Sequence, residues 1–192
     1  MSEYLDRYNT IAGGFTARVS GVSGDAWENP SPCAGWVARD IVGHVVGWVP
    51  SFFSGAAGLV FEAGPAINDD PLGAWLQVDA TLRSSLTDPH VAGREFDGPP
   101  GRMTVEQSID MIVSGDLLIH TWDLARAAGL DERLDPTQVH RMFEGVQPYD
   151  EMLRSSGQYG PRVVVPDDTD EQTKLLAFMG RNPLQLGLRA SD

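Results

Sequence analysis

The stretch 114–129, SGDLLIHTWDLARAAG, decides the architecture, together with 41–48, IVGHVVGW. Both have helical periodicity, and both place polar residues where that periodicity calls for core. Asp116 and His120 are four residues apart, which on an α-helix is roughly 40° of rotation and about 6 Å of rise, so they project from one face. That face also carries Ile109, Ile112, Val113 and Leu124. His44 falls on the stripe Val37, Ile41, Trp48 of a second predicted helix. A carboxylate and two imidazoles aimed into a helical core need partners, because an unpaired buried charge is costly. One divalent metal ion satisfies all three, and two His with one carboxylate leave positions open for water or substrate. The spacing also admits a plain hydrogen bond between Asp116 and His120.

Outward from these segments the pattern stays helical. Leu5, Tyr8, Ile11, Ala12, Phe15 and Val19 predict a first helix over 3–19, capped by Ser2. A Gly/Pro-rich connection over 21–36 leads to a helix from about Val37 to Val49, where Pro50 is expected to stop or kink it. Asp70-Pro71 opens a third helix carrying Trp75, Leu76, Asp79, Leu82 and Leu86. VAGREFDGPPGRM (91–103) suggests a short hairpin. Thr104 and Gln107 form a capping box for the longest helix, about 105–128, closed by Gly129. Asp135-Pro136 starts a fifth helix to about Arg154. RVVVP reads as an extended segment, and Thr169 with Gln172 caps a sixth helix ending near Gly180. The expectation is an all-α protein: one domain over 1–192, with a helical bundle to about residue 130 and a smaller helical extension over 131–192.

Composition narrows the function classes. Of 192 residues, 42% are hydrophobic and 21% charged, the balance of a globular domain. The net charge of −13, with Lys174 the single lysine, repels phosphate backbones and speaks against nucleic-acid partners. No apolar run approaches the length of a membrane span, and MSEYLDRYNT is no signal peptide. The lone Cys33 excludes an internal disulfide and fits a reducing cytoplasm. There is no phosphate-binding glycine loop, no G-x-S-x-G elbow and no C-x-x-C pair.

Asp123 shares the face of Asp116 and His120. It can hold an imidazole N–H, move a proton as a general base, or simply pair with Arg126 or Arg39. Cys33 is open between a soft fourth ligand, a reactive thiol and a packed side chain. Trp36 sits where a hydrophobic staple belongs, and Trp48, one turn beyond His44, can line a pocket over the metal. His90 reads as solvated, and His140 as a surface or capping residue.

NPSPCAGWVARDIVGHVVGW (29–48), GDLLIHTWDLARAAG (115–129) and VVVPDDTDEQTKLLAFMGRNP (163–183) together resemble an actinobacterial family of DinB-like metal-binding proteins. That family is related to the N-terminal domain of mycothiol-dependent maleylpyruvate isomerases, and the G-R-N-P segment points to its stand-alone members. The resemblance implies an up-down-down-up four-helix bundle with a divalent ion between helices, its ligands falling on His44, Asp116 and His120. Many DinB relatives use three histidines, and the isomerase has a glutamate matching Asp116. The isomerase also uses a separate C-terminal domain with no counterpart in this sequence, so maleylpyruvate isomerisation is not carried over.

What the resemblance does imply is activation of a low-molecular-weight thiol such as mycothiol for attack on an electrophilic small molecule, as a transferase or isomerase. Zinc is the first choice of ion by ligand type, followed by nickel and iron. The open alternatives are a metal-dependent hydrolase using bound water and a non-catalytic metal- or ligand-binding protein. The expected partners are the substrate and the thiol, and the fold is compatible with a homodimer.

Overall fold

The computed structural model describes residues 2–98, 101–155, 157 and 159–185. Four long helices form its centre: α1 (Glu3–Gly21), α2 (Ala38–Ala56), α3 (Pro71–Thr87), and a rod made of α5 (Val105–Ser108), a π turn (Ile109–Val113) and α6 (Ser114–Ala128). A one-turn helix α4 (Pro89–Ala92) and an antiparallel hairpin, β1 (Glu95–Gly98) with β2 (Gly101–Thr104), join α3 to the rod. The extension holds α7 (Pro136–Val146), α8 (Asp150–Ser155) and α9 (Glu171–Phe178). Among the described residues, no helix is long and apolar enough to cross a membrane.

Side-chain contacts fix the helix directions. Tyr8 meets Asp79 at 2.7 Å and Thr16 meets Trp75 at 2.8 Å, so α1 and α3 run antiparallel. Arg7 pairs with Asp110 at the start of the rod, and Arg18 reaches the carbonyls of Asp131 and Arg133 beyond its end, so α1 and α6 run parallel. Asn29, just before α2, bonds the Ala127 carbonyl, while Trp48 bonds Asp116, so α2 runs against α6. The order is therefore up-down-down-up, and α1 and α2 each pack on both α3 and α6. The protein has an all-α, DinB-like fold. Its long 57–70 connection is what lets α2 and α3 run in parallel.

Local chemistry explains most boundaries. The Ser2 hydroxyl accepts from the Leu5 N–H, Asp70 accepts from the Gly73 N–H, and Thr104 and Gln107 cap each other reciprocally. Gly129 takes the left-handed conformation, φ 68°, that ends α6.

Four expectations are corrected. Helix α2 does not stop at Val49 but runs through Pro50 to Ala56. An interior proline costs about 3 kcal/mol, and fully burying a large apolar side chain returns about 1.5–3 kcal/mol. Val49 and Phe53, both fully buried, flank Pro50 and offset that cost, while the Ser51 hydroxyl donates to the Gly47 carbonyl at 2.8 Å. The rod is not one regular helix: the Ser114 N–H bonds the Ile109 carbonyl five residues back, and the Ser114 hydroxyl donates to the same oxygen at 3.1 Å. The fifth helix breaks after Val146, next to Pro148, into a 3-10 turn (Gln147–Tyr149) and α8. Finally, Asp170 rather than Thr169 caps α9, accepting from the Thr173 N–H. Gln172 turns away to bond the Leu134 N–H and the Glu132 carbonyl, tying α9 to the segment after α6.

Helix α6 is buried almost all round: Leu117, Leu118, Ile119, Thr121, Trp122, Leu124 and Ala125 point in different directions yet all lie inside. A helix enclosed this way needs cover on every side. α1 and α2 supply the bundle side, and the extension, through Leu175, Leu176 and Phe178, joins the same core.

Candidate metal centre

The site forms where α2 faces α6. His44 projects from α2, and Asp116 and His120 from successive turns of α6. One donor atom from each lies within 4.8 Å of the others. Nε2 of His120 is 3.4 Å from Asp116 Oδ1, and Nε2 of His44 is 3.5 Å from Asp116 Oδ2. The side chains of His44, Asp116 and His120 are 33%, 27% and 6% exposed, so the group opens outward on the His44–Asp116 side. The three residues singled out from periodicity are thus brought together.

These separations discriminate between two kinds of contact. Charge-assisted N–H···O bonds run at about 2.7–2.9 Å. Two ligands each about 2.1 Å from a tetrahedral ion lie about 3.4 Å apart. The imidazole–carboxylate distances fit the second spacing. Two ring nitrogens and a carboxylate oxygen are also a donor set that suits zinc and its first-row neighbours. The residues present therefore fit a divalent ion.

The other ring nitrogen of His120 is occupied. Nδ1 lies 2.9 Å from Oδ2 of Asp123, whose side chain is fully buried. With the Nδ1 proton donated to that carboxylate, the Nε2 lone pair faces His44 and Asp116. Asp123 does not pair with Arg126 or Arg39. Arg126 forks onto Glu132, Arg39 bonds Glu28, and the partner of Asp123 is Arg181, which stands just after α9. Its NH2 group lies 2.8 Å from Oδ2 and its Nε 3.3 Å from Oδ1.

Cys33 belongs to this second side. Its Sγ is 3.4 Å from Asp123 Oδ2 and 3.8 Å from the Arg181 NH2 group. Cys33, His120 and Asp123 also offer donor atoms within 4.8 Å of one another, but the guanidinium already supplies the positive charge there. The loop carrying Cys33 is closed by Pro30 pairing with Val37 and by the Ser31 N–H bonding the Trp36 carbonyl at 2.9 Å. Gly35, at φ 79°, makes the turn that this closure needs.

Aromatic rings wall the site. Trp36 faces the site. Its ring lies 5.1 Å from the His44 ring and is stacked 6.0 Å from that of His120. Trp48 sits beside His44, as the helical spacing suggested, and its indole N–H donates to Asp116 Oδ2 at 3.0 Å. Tyr159, from the segment between α8 and α9, has its phenol pushed up by burial and by the negative charge of Asp116. Neither Tyr159 nor Arg181 was found from the sequence. The only hint was that Arg181 lies in the G-R-N-P segment. His90 is exposed, and His140 forms a surface pair with Glu171 at 3.0 Å.

Burial opposes ionisation of both carboxyls at the centre. At Asp116 the neighbouring imidazoles of His120 and His44 overcome it, and the carboxyl is held far below its usual range. At Asp123, His120 and Arg181 do the same. Burial likewise works against a charged His120, but the carboxylates of Asp116 and Asp123 raise its value well above the ordinary one, so in the metal-free protein a proton competes for Nε2.

An up-down-down-up bundle with two imidazoles and a carboxylate gathered between its helices has the architecture of a DinB-like protein. The chain belongs to the mycothiol maleylpyruvate isomerase N-terminal domain family, whose model matches residues 9–125. It is similar to the uncharacterized proteins MT0763 and Rv0738 of Mycobacterium tuberculosis, from strains CDC 1551 / Oshkosh and H37Rv. Each is 28% identical over 169 residues, which is 87% of this chain and 91% of the relative. No solved structure matches the chain significantly.

Proposed function

We propose that His44, Asp116 and His120 bind a divalent metal ion, zinc by first preference, and that the protein is a thiol-dependent transferase or isomerase acting on an electrophilic small molecule. Mycothiol is the thiol that the family membership favours. The observation that carries the reading is the spacing of about one ligand–ligand distance between each imidazole and Asp116, with the far nitrogen of His120 already engaged by Asp123.

A divalent ion held here supplies Lewis acidity, which favours the thiolate form of a small thiol at neutral pH. The chain's own residues provide the setting. Asp123 accepts the Nδ1 proton of His120 and so directs Nε2 inward. Trp48 donates to Asp116 and restrains its carboxylate. Trp36 and Trp48 set apolar ring surface against the flanks of His44, and a lower local dielectric strengthens electrostatic interactions there. The full burial of Asp123 suits a positioning role better than proton exchange with a substrate.

The test is elemental analysis of the purified protein and of His44→Ala, Asp116→Ala and His120→Ala, followed by assay of the zinc form with mycothiol and a panel of electrophiles. Near-stoichiometric metal, lost in each variant, and conjugate formation that requires the thiol are expected. Metal content unaffected by all three substitutions would overturn the metal reading. Turnover of esters or amides without thiol would leave the metal site standing and replace the transferase with a hydrolase.

A further inference from the structure

We propose that Arg181 is a positioning residue of the metal centre: it clamps Asp123, which in turn orients His120. The inference rests on the metal-binding reading above, and extends it to a residue 58 positions beyond Asp123 in sequence and outside the family match.

Arg181 is only 17% exposed, and Asp123 is fully buried. Arg181 approaches the carboxylate with two groups, NH2 on Oδ2 and Nε on Oδ1, the planar fork that Arg makes and Lys cannot. Its remaining terminal nitrogen donates to the Met179 carbonyl at 3.2 Å, so the guanidinium is itself anchored. Oδ2 then receives Arg181, the Nδ1 proton of His120 at 2.9 Å and the Cys33 thiol at 3.4 Å, while Oδ1 receives Nε. With both oxygens engaged the carboxylate cannot rotate, and the imidazole plane is fixed with it. Without Arg181 the remaining donors among the described residues act on one oxygen, the group is free to turn, and a buried carboxylate loses the cation that offsets its desolvation.

Arg181 reaches this point because α9 is docked. Leu175, Leu176 and Phe178 are buried, and the Arg181 N–H closes the helix end on the Leu176 carbonyl at 2.9 Å. The extension therefore completes a site whose ligands all belong to the bundle.

Zinc affinity is measured by chelator competition, and the cobalt(II) absorption spectrum is recorded, for the full chain and for Arg181→Gln, Arg181→Lys and Arg126→Gln. Partners that orient a ligating histidine are worth about 10–100-fold in metal affinity. Arg181→Gln is expected to weaken zinc binding by an amount in that range and to change the cobalt spectrum. Arg181→Lys, which keeps the charge but not the fork, should recover part of the loss. Arg126→Gln removes a different tie between α6 and the extension, through Glu132 and the Pro183 carbonyl, and should leave affinity and spectrum unchanged. An Arg181→Gln protein with wild-type affinity and spectrum, or an equal loss in Arg126→Gln, overturns the inference while the metal reading stands. A wild-type chain that binds no zinc overturns the metal reading itself. If Arg181→Gln does not fold, Arg181→Lys decides alone: a wild-type affinity and spectrum in it count against the fork.

Discussion

Trp48→Phe removes one hydrogen bond from the proposed centre and little else. Phenylalanine keeps a ring beside His44 and Phe52, whose centroids lie 6.2 and 6.0 Å from that of Trp48, but loses the N–H that donates to Asp116 Oδ2 at 3.0 Å. Hydrogen bonds to charged groups contribute about 1.5–3 kcal/mol. Asp116 is 27% exposed, so water can replace the indole in the metal-free protein and the lower end applies. Water replaces it less well once the carboxylate must hold one orientation for an ion. A difference of about 1.4 kcal/mol is tenfold in an equilibrium constant, so zinc affinity should fall roughly tenfold. Thermal unfolding in the presence of a chelator should change much less than unfolding of the zinc form. Competition titration with a chromophoric chelator, with melting curves of both forms, measures the two effects separately. A variant that binds zinc as tightly as the parent would refute the idea that Trp48 restrains a ligand. An equal loss of stability in both forms would show that the indole serves packing alone.

Three further outcomes are expected. Tyr8→Phe removes the buried donor to Asp79 and should cost about 2 kcal/mol, a melting temperature lower by about 4–8 °C in a domain of this size; an unchanged melting curve would mean that Asp79 finds an equal partner in Arg83. Zinc binding should weaken as pH falls, because protons compete for the imidazoles, and since the metal-free His120 value is raised, the decline should begin above pH 6.5. Affinity independent of pH between 8 and 5 would contradict histidine ligation. His140, paired with Glu171, should titrate above its ordinary value in an NMR titration, and Glu171→Gln should bring it down. Because its folded value is raised, its tie between α7 and α9 is fully present below pH 6.5 and fades as pH rises through the folded value; an unshifted titration would remove that tie.

The legible parts of the molecule were those decided within a few residues. Leu5, Tyr8, Ile11, Ala12, Phe15 and Val19 are all buried, as a three- and four-residue rhythm requires. The caps at Ser2, Asp70 and Thr104 are exchanges between neighbours in sequence. The errors arose where tertiary packing outweighed a local rule. Pro50 is a helix stop by its own chemistry, yet Val49 and Phe53 hold the turns on either side of it in the core. The π turn is accompanied by a Ser114 hydroxyl bond to the Ile109 carbonyl, a contact with no signature in the apolar rhythm of Ile109–Val113. Thr169 and Gln172 satisfy a capping pattern, but Asp170 is the better cap, and Gln172 has a role across the chain.

The candidate site divides along the same line. His44, Asp116 and His120 stood out because each interrupts an apolar stripe. Arg181 could not stand out, because an arginine after a short helix is ordinary until the chain is folded and its partner is seen to be Asp123. A fully buried carboxylate next to a histidine requires a compensating cation, and α6 holds only Arg126 near its end, already forked onto Glu132. The cation must then come from another element. The extension, acidic over 167–171 (DDTDE), places one arginine at the point where the helix end turns inward. The bundle thus presents ligands that the extension restrains: Arg181, held by the docked end of α9, fixes Asp123, and Asp123 fixes the ring of His120.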